Sequence, residues 1–513
     1  MARRFRTAPD DSPLYVVKRD LSGGVNTRQF EQIIQDNQAI KLQNILLETA
    51  GERALRPGKT NIDDTYPASS GTGLCLFGFD PDGGQFELLA VQKTNLSGWE
   101  LSGTFSNHDT GFTTDLPTTI VKVGMSGQND IVLVSNGTDN VHSMYQDHTV
   151  TDLGNTNTSP PKTRALAYHN NRVWALKSNL AYFSDAFPSN YASAFDRTIN
   201  AFRVSTGTER AILATRDQGL IFLGADQIWQ LSPSLIPDPS TDFPQKVLDI
   251  GCVSGDTAVQ VADDIYFLAP DGVRGLFRTA LDKLQTGQSF PLSFPLKDEF
   301  ETINWNHIDL SCAVYYENKY ILSLPVSGSS YNNSVWVYYP AYKAWVTYSG
   351  WNIARFAKLR VAGKELLYGI DSVTGSVFQL FDGLNDDGVA IVYDEQSKAE
   401  DFGQPLIYKY GCEFKVKVQG GSGTLIVYAA PDGRNWIQLG TLDTGLTTVT
   451  FPVSFPVVFG NGTETNGIFH LDDAGIIKFK RCKFRVYCSD LDAIITILET
   501  SVMAFPEAYL SED

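Results

Sequence analysis

Long apolar runs are missing from this chain. No stretch approaches eighteen apolar residues, so a membrane-spanning helix is not expected, and the opening MARRFRTAPDD lacks the apolar core of a Sec signal. Cysteine is scarce. Six in 513 residues (Cys75, Cys252, Cys312, Cys412, Cys482 and Cys488) are too few for a disulfide scaffold and are expected as small buried hydrophobes in a reducing compartment. Basic charge is short too: 41 Lys and Arg against 58 Asp and Glu leave a net charge of −17 and a pI of about 4.8. That argues against a grip on nucleic acid phosphates, which needs basic patches, but not against a surface past which DNA must slide without sticking.

The usual signatures of chemistry are also absent. The six histidines (His108, His142, His148, His169, His307 and His470) stand alone in sequence, with no pair at ligand spacing. His169, beside Asn170 and Asn171, is read as a surface or capping residue. Neither a Gly-x-Ser-x-Gly elbow nor a His-Glu-x-x-His helix occurs. Gly58-Lys59-Thr60 ends like a phosphate loop, but Arg53 stands where its first glycine belongs, so no nucleotide site is expected.

What the chain has is β-sheet material: 12% aromatics, 43 glycines and 23 prolines, a mixture that favours strands and tight turns. Residues 213–232 and 259–277 repeat one plan, in which a polar turn, a short apolar strand, a Gly/Asp turn and an aromatic strand follow in order. Such hairpins recur in groups at 74–92, 120–145, 164–184, 207–231, 251–278 and 310–348, with 366–381 available to close the ring. The reading is an all-β chain: a β-propeller of about six blades, to within one, over 73–384. Closure should borrow a strand from the other end of the blade series, through the strand after Gly73 or through the N-terminal arm, because that hides the exposed edges. Residues 279–305 break the rhythm and leave room for one helix. Beyond the acidic turn near 385, alternating segments over 385–513 predict a C-terminal β-sandwich of the jelly-roll kind, with strands that include 413–418, 424–430, 435–439, 446–451, 476–486 and 493–503. Residues 1–72 form an N-terminal arm and docking segment, with a short helix near 31–35 and a strand over 39–47.

Glycan cleavage needs two carboxylates that converge on one bond. Asp263-Asp264, Asp386-Asp387 and Asp472-Asp473 sit beside turns, and adjacent strand residues point to opposite faces, so no pair converges on one bond. The acidic loops 371–375 and 382–388 miss the EF-hand spacing and are read as hydrophilic turns rather than calcium sites. The aromatic stripe of Trp336, Tyr338, Tyr339, Tyr342 and Trp345 is read as core packed between blades. An Asp-box-like phrase, 430–436, occurs once and outside the propeller, which leaves a sialidase-like enzyme last in rank. No catalytic residue, cofactor or metal is expected, and the chain is expected not to be an enzyme.

One set of phrases carries a family likeness. Ser22-Gly23-Gly24-Val25-Asn26, the Asn44-Ile45-Leu46 strand, Arg56-Pro57-Gly58, the run from Tyr168 to Asp185 and the Asp271-Gly272-Val273-Arg274 phrase, in that order and over roughly two thirds of the chain, resemble the tail nozzle proteins of short-tailed bacteriophages. The resemblance implies a virion tail protein assembled in the bacterial host cytoplasm, a homo-oligomeric ring, hexameric by family analogy, docked below portal and adaptor proteins. Genomic DNA would pass through its lumen unbound, and tail fibres or tip proteins would attach to its loops. The alternative is a receptor-binding or tail-spike protein whose sandwich recognises host glycan.

Overall fold

A computed structural model describes residues 12–49, 51–67, 71–82, 86–101, 103–127, 130–215, 219–444 and 464–507. Strands hold 48% of the chain and helices 6%, as the turn-rich composition requires. No described helix is long and apolar enough to cross a membrane.

Six blades follow one another along the chain. Blade 1 uses Gly73–Phe79, Glu87–Gln92, Asn95–Trp99 and Ser106–Thr110; blade 2 uses Thr119–Val123, Ile131–Ser135, His142–Met144 and Val150–Asp152. Blade 3 uses Leu166–His169, Arg172–Lys177, Leu180–Phe183 and Ala201–Arg203; blade 4 uses Glu209–Thr215, Gly219–Gly224, Ile228–Leu231 and Gln245–Leu248. Blade 5 has three strands, Val259–Val261, Asp264–Ala269 and Gly272–Gly275, and runs on into the helix Leu276–Thr286, the helix for which the broken rhythm left room. Blade 6 uses Cys312–Tyr316, Lys319–Leu324, Ser334–Tyr339 and Ala344–Tyr348.

A seventh sheet completes the ring. Ile353–Val361, Lys364–Asp371 and Val377–Leu380 take their fourth strand from Lys59–Asn61, which pairs antiparallel with Phe378–Leu380. The first strand of this sheet lies against the first strand of blade 1. Closure therefore borrows a strand from the opposite end of the propeller, as edge protection demands, but from residues between the arm and Gly73. The strand after Gly73 meets the seventh sheet by packing rather than by hydrogen bonds.

The hairpins form where the sequence offers residues that tolerate φ > 0. Asn170 and Asn171 (φ 49° and 61°) join the first two strands of blade 3, and Glu317 and Asn318 (φ 45° and 59°) join those of blade 6. Two consecutive left-handed residues give the turn whose twist matches that of paired strands. Between blades the central strands are buried along their whole length, as in Gly219–Gly224 and Lys319–Leu324. Such strands read as continuous apolar runs rather than as alternation.

The C-terminal body consists of two sheets packed face to face. In one, Lys409–Ser422 lies between Glu464–His470 and Ile494–Pro506; in the other, Tyr393–Gln396, Cys482–Cys488, Thr424–Pro431 and Ile437–Asp443 follow in order. Phe414 and Phe484 stack across the gap with ring centroids 4.5 Å apart. The strand expected at 446–451 lies outside the described residues.

The N-terminal segment is built into both bodies. Leu14–Lys18 pairs with 500–504 at the chain's far end, and Arg53–Leu55 pairs with Thr496 and Ile497. Lys41–Gln43 sits between Ala344–Tyr348 of blade 6 and Tyr393–Gln396, so that one nine-stranded sheet runs from the propeller into the sandwich. Where a helix was expected near 31–35 there is a turn, with Ile33 N–H donating to Phe30 O at 2.9 Å, and the strand expected over 39–47 is broken into three short pieces.

Candidate functional site

Two places gather charge: the axis of the propeller, and the seam between propeller and sandwich. At the axis, Asp256 stands in the 3-10 turn Gly255–Thr257 ahead of blade 5. Its Oδ2 accepts from Arg164 NH2 at 2.6 Å, just before blade 3, and from Arg355 NH2 at 2.5 Å, in the first strand of the seventh sheet. Burial alone would raise the Asp256 pKa, but the charges of Arg355 and Arg164 outweigh it and hold the carboxyl below its ordinary value. This triad reaches across the ring and ties three non-adjacent blades. On one side of it a cleft of about 310 Å³ is lined by Leu74, Asp115, Tyr331, Asn332, Arg355 and Val373. On another, about 230 Å³ is lined by residues that include Asn136, Lys177, Glu209, Arg210 and Asp309.

At the seam, four cations of the N-terminal segment meet anions of residues 386–400. Lys18 Nζ lies 2.6 Å from Glu400, Arg53 Nε 2.9 Å from Glu395, Arg56 NH2 2.6 Å from Asp386, and Lys41 Nζ 2.7 Å from Asp394. All but Lys41 are nearly inaccessible. A groove of about 680 Å³ beside them is lined by Glu31, Lys41, Glu299, Trp336, Gln396 and Lys483. Burial raises the Glu299 pKa against the opposing hydrogen bond that its Oε2 accepts from Thr27 Oγ1 at 2.7 Å.

The residues weighed from sequence have structural employment. Asp264 Oδ1 accepts from Phe277 N–H at 2.8 Å at the start of the helix, and Asp386 accepts from Arg56 and from Trp351 Nε1. Asp371 Oδ1 takes the amides of Val373 and Thr374, which makes loop 371–375 a turn. Lys59, in the phosphate-loop-like phrase, donates to Gly350 O at 3.0 Å and lies over the Phe378 ring; burial lowers its pKa. Trp336, Tyr338, Tyr339 and Trp345 are buried, as the core reading expected, while Tyr342 of the same stripe is half-buried against that core. All six cysteines are free and buried.

Of the family-like phrases, those of the N-terminal segment lie at or beside the seam, whereas 168–185 belongs to blade 3 and 271–274 to blade 5. Val25 pairs with Ala39, and Asn44 Nδ2 donates to Val392 O at 2.8 Å. Arg56 donates to Asn44 Oδ1, Pro57 O, Ser349 O and both Asp386 oxygens. Of the Ser22–Gly58 stretch, the turn around Phe30 and Ile33 is what stands open: those side chains are 81% and 66% exposed.

The fold also unites residues that looked isolated in sequence. Glu87, His108 and His148 bring three ligand atoms within 4.8 Å of one another at the rims of blades 1 and 2. They are 21 and 40 residues apart, so sequence spacing gave no signal. The sole trace is a histidine inside the short polar strand Ser106–Thr110.

No protein-family model and no curated protein matches the chain. Among solved structures it is similar to the extracellular domain of a one-component-system protein of B. thetaiotaomicron (TM-score 0.41, 10% identity, 75% of this chain and 48% of that one). It is also similar to an ancestral GH74 enzyme (TM-score 0.38, 12% identity, 66% and 54%). A third likeness is to PorZ, a surface component of the type-IX secretion system of Porphyromonas gingivalis (TM-score 0.37, 10% identity, 84% and 59%). The chain thus spans about half the length of these structures.

Proposed function

We propose that this chain is a structural virion protein of a short-tailed bacteriophage, a subunit of a ring-shaped tail nozzle whose working part is its shape rather than a reactive side chain. The observation that carries the reading is the joint. A sheet that passes unbroken from blade 6 into the sandwich, stitched by buried ion pairs from the N-terminal segment, makes two bodies into one stiff piece. Rigid frames with loops free for attachment suit a load-bearing assembly. Two of the phrases that resemble tail nozzle proteins, Asn44-Ile45-Leu46 and Arg56-Pro57-Gly58, help to build this joint.

The lumen of such a ring lies between subunits. Within one propeller the axis is crossed by Arg164, Asp256 and Arg355, which leaves no place for a duplex. A net charge of −17 keeps phosphates from adhering to the wall they pass. The turn bearing Phe30 and Ile33, the exposed large apolar side chains of residues 22–58, is the part fit to meet an adaptor. Electron microscopy of the purified chain tests the proposal: the expected particle is a closed ring, hexameric by family analogy, with a central opening wide enough for duplex DNA. A chain that stays monomeric at high concentration, or that releases sugars from a host glycan, would overturn it.

A further inference from the structure

Glu87 opens the second strand of blade 1, and its side chain is 4% exposed. A buried carboxylate needs a compensating charge or a full set of donors. Among the described residues its partners are two imidazoles: His108 Nε2 at 2.6 Å from Oε1 and His148 Nε2 at 3.4 Å from Oε2, with no lysine or arginine paired to it. His108 comes from the fourth strand of blade 1. His148 comes from the turn between the last two strands of blade 2, where it holds φ at +64°. The two rings stack with centroids 4.0 Å apart. Glu100 Oε1, 55% exposed, stands 3.7 Å from His148 Nε2 on the open side.

The space for this cluster is made by Gly98 on the intervening third strand. A Cβ there would lie 1.7 Å from Glu87 Oε1 and 2.2 Å from His108 Nε2. The pleat would ordinarily place a side chain at that point. Its absence lets the carboxylate and the imidazole meet over bare backbone.

We propose that Glu87, His108 and His148, with Glu100 as the fourth ligand, bind one divalent transition-metal ion of the zinc class, which clips the rim of blade 1 to that of blade 2. Two imidazoles and a carboxylate are a donor set that suits zinc and its first-row neighbours rather than calcium or magnesium. With bonds of about 2.0–2.1 Å the edge of a tetrahedral site is roughly 3.3 Å. The 3.4 Å contact of His148 with Glu87 matches that edge, and the 3.7 Å contact with Glu100 must close by a few tenths of an ångström. The 2.6 Å contact between His108 and Glu87 must open as the metal takes the place of the hydrogen bond between them. The ion would supply a positive charge to the buried Glu87 carboxylate.

The test uses the full chain, treated with chelator, dialysed, and titrated with zinc chloride by calorimetry alongside thermal unfolding; cobalt(II) substitution reports tetrahedral coordination in the visible spectrum. One ion per chain, a raised midpoint and a tetrahedral cobalt spectrum are expected. His148→Asn, which keeps a residue tolerant of positive φ, and Gly98→Ala, which crowds Glu87 and His108 without replacing a ligand, should each weaken binding by roughly tenfold or more. His169→Ala should leave it unchanged. No binding by the wild type, or equal affinity and stoichiometry in His148→Asn, would overturn the proposal. The second result holds even if Gly98→Ala fails to fold.

Discussion

Replacing Arg56 by methionine should destabilise the chain more than almost any other single change at the seam. Arg56 is wholly buried, and its partner Asp386 has a side chain 5% exposed. The guanidinium donates to Asp386 Oδ1 at 2.9 Å and Oδ2 at 2.6 Å and lies 4.5 Å over the Trp351 ring. Methionine has similar length and fills the volume, so little of the effect is a cavity. The loss comes from a carboxylate left buried with Trp351 Nε1–H as its remaining side-chain donor, a situation that costs about 3–5 kcal/mol. Asn44 Oδ1 and Ser349 O lose a donor as well. Adding Asp386→Leu to Arg56→Met should recover most of that loss, because no charge remains stranded; the indole N–H left without an acceptor costs about 1–3 kcal/mol and sets the residue of the deficit. Equilibrium urea unfolding followed by tryptophan fluorescence reads both effects, since Trp351 sits at the pair. If Arg56→Met costs less than about 1 kcal/mol, or if the double variant is worse than the single one by the full cost of Asp386→Leu, the pair is not what joins the two bodies.

Further outcomes follow from the same geometry. Gly24→Ala should cost about 2 kcal/mol or more, since φ is +69° and the new Cβ would lie 2.6 Å from Trp345 N; thermal unfolding checks it. Asp256→Asn tests the axial triad through pH. The folded pKa of Asp256 is held below its unfolded value near 3.9, so the ionised form stabilises above that value and the gain disappears as pH falls through the folded pKa. The wild type should therefore lose more stability than Asp256→Asn between pH 5 and 2, measured as unfolding midpoints across that range. The cysteines should resist a thiol reagent in the native chain and all react after denaturation, because each is buried and burial pushes the thiols of Cys75, Cys252 and Cys312 up to about 12.

The blades were legible where strands are central. Leu88–Val91, Val132–Val134 and Ile321–Leu324 are apolar runs because neighbouring blades cover both faces of each sheet. The outer strands were not, since Ser106–Thr110 and Val150–Asp152 are short, polar and largely exposed, and nothing in their composition separates them from loop. The seventh sheet was visible as a candidate, but its fourth strand, Lys59–Asn61, has no periodicity to detect and owes its place to an edge more than 300 residues away in the chain. The same distance hid the seam. Nothing in the sequence around Lys18, Arg53 and Arg56 signals burial, and only their partners at 386–400 explain why they are buried. The rim cluster was hidden by a different cause, a glycine that makes room for side chains from its neighbours rather than bearing one itself.

The pairing of Leu14–Lys18 with residues 500–504 and of Lys59–Asn61 with Phe378–Leu380 bears on how the polypeptide is made. Residues 14–18 and 59–61 precede every blade in the chain, and their strand partners follow six blades or more. During synthesis these two strands wait for those partners while blade after blade condenses beside them. Contacts so remote in sequence slow the final step and expose sticky borders in the interim. Truncation near residue 385 would therefore keep Lys59–Asn61 on the seventh sheet but leave Leu14–Lys18, Arg53 and Arg56 without their partners.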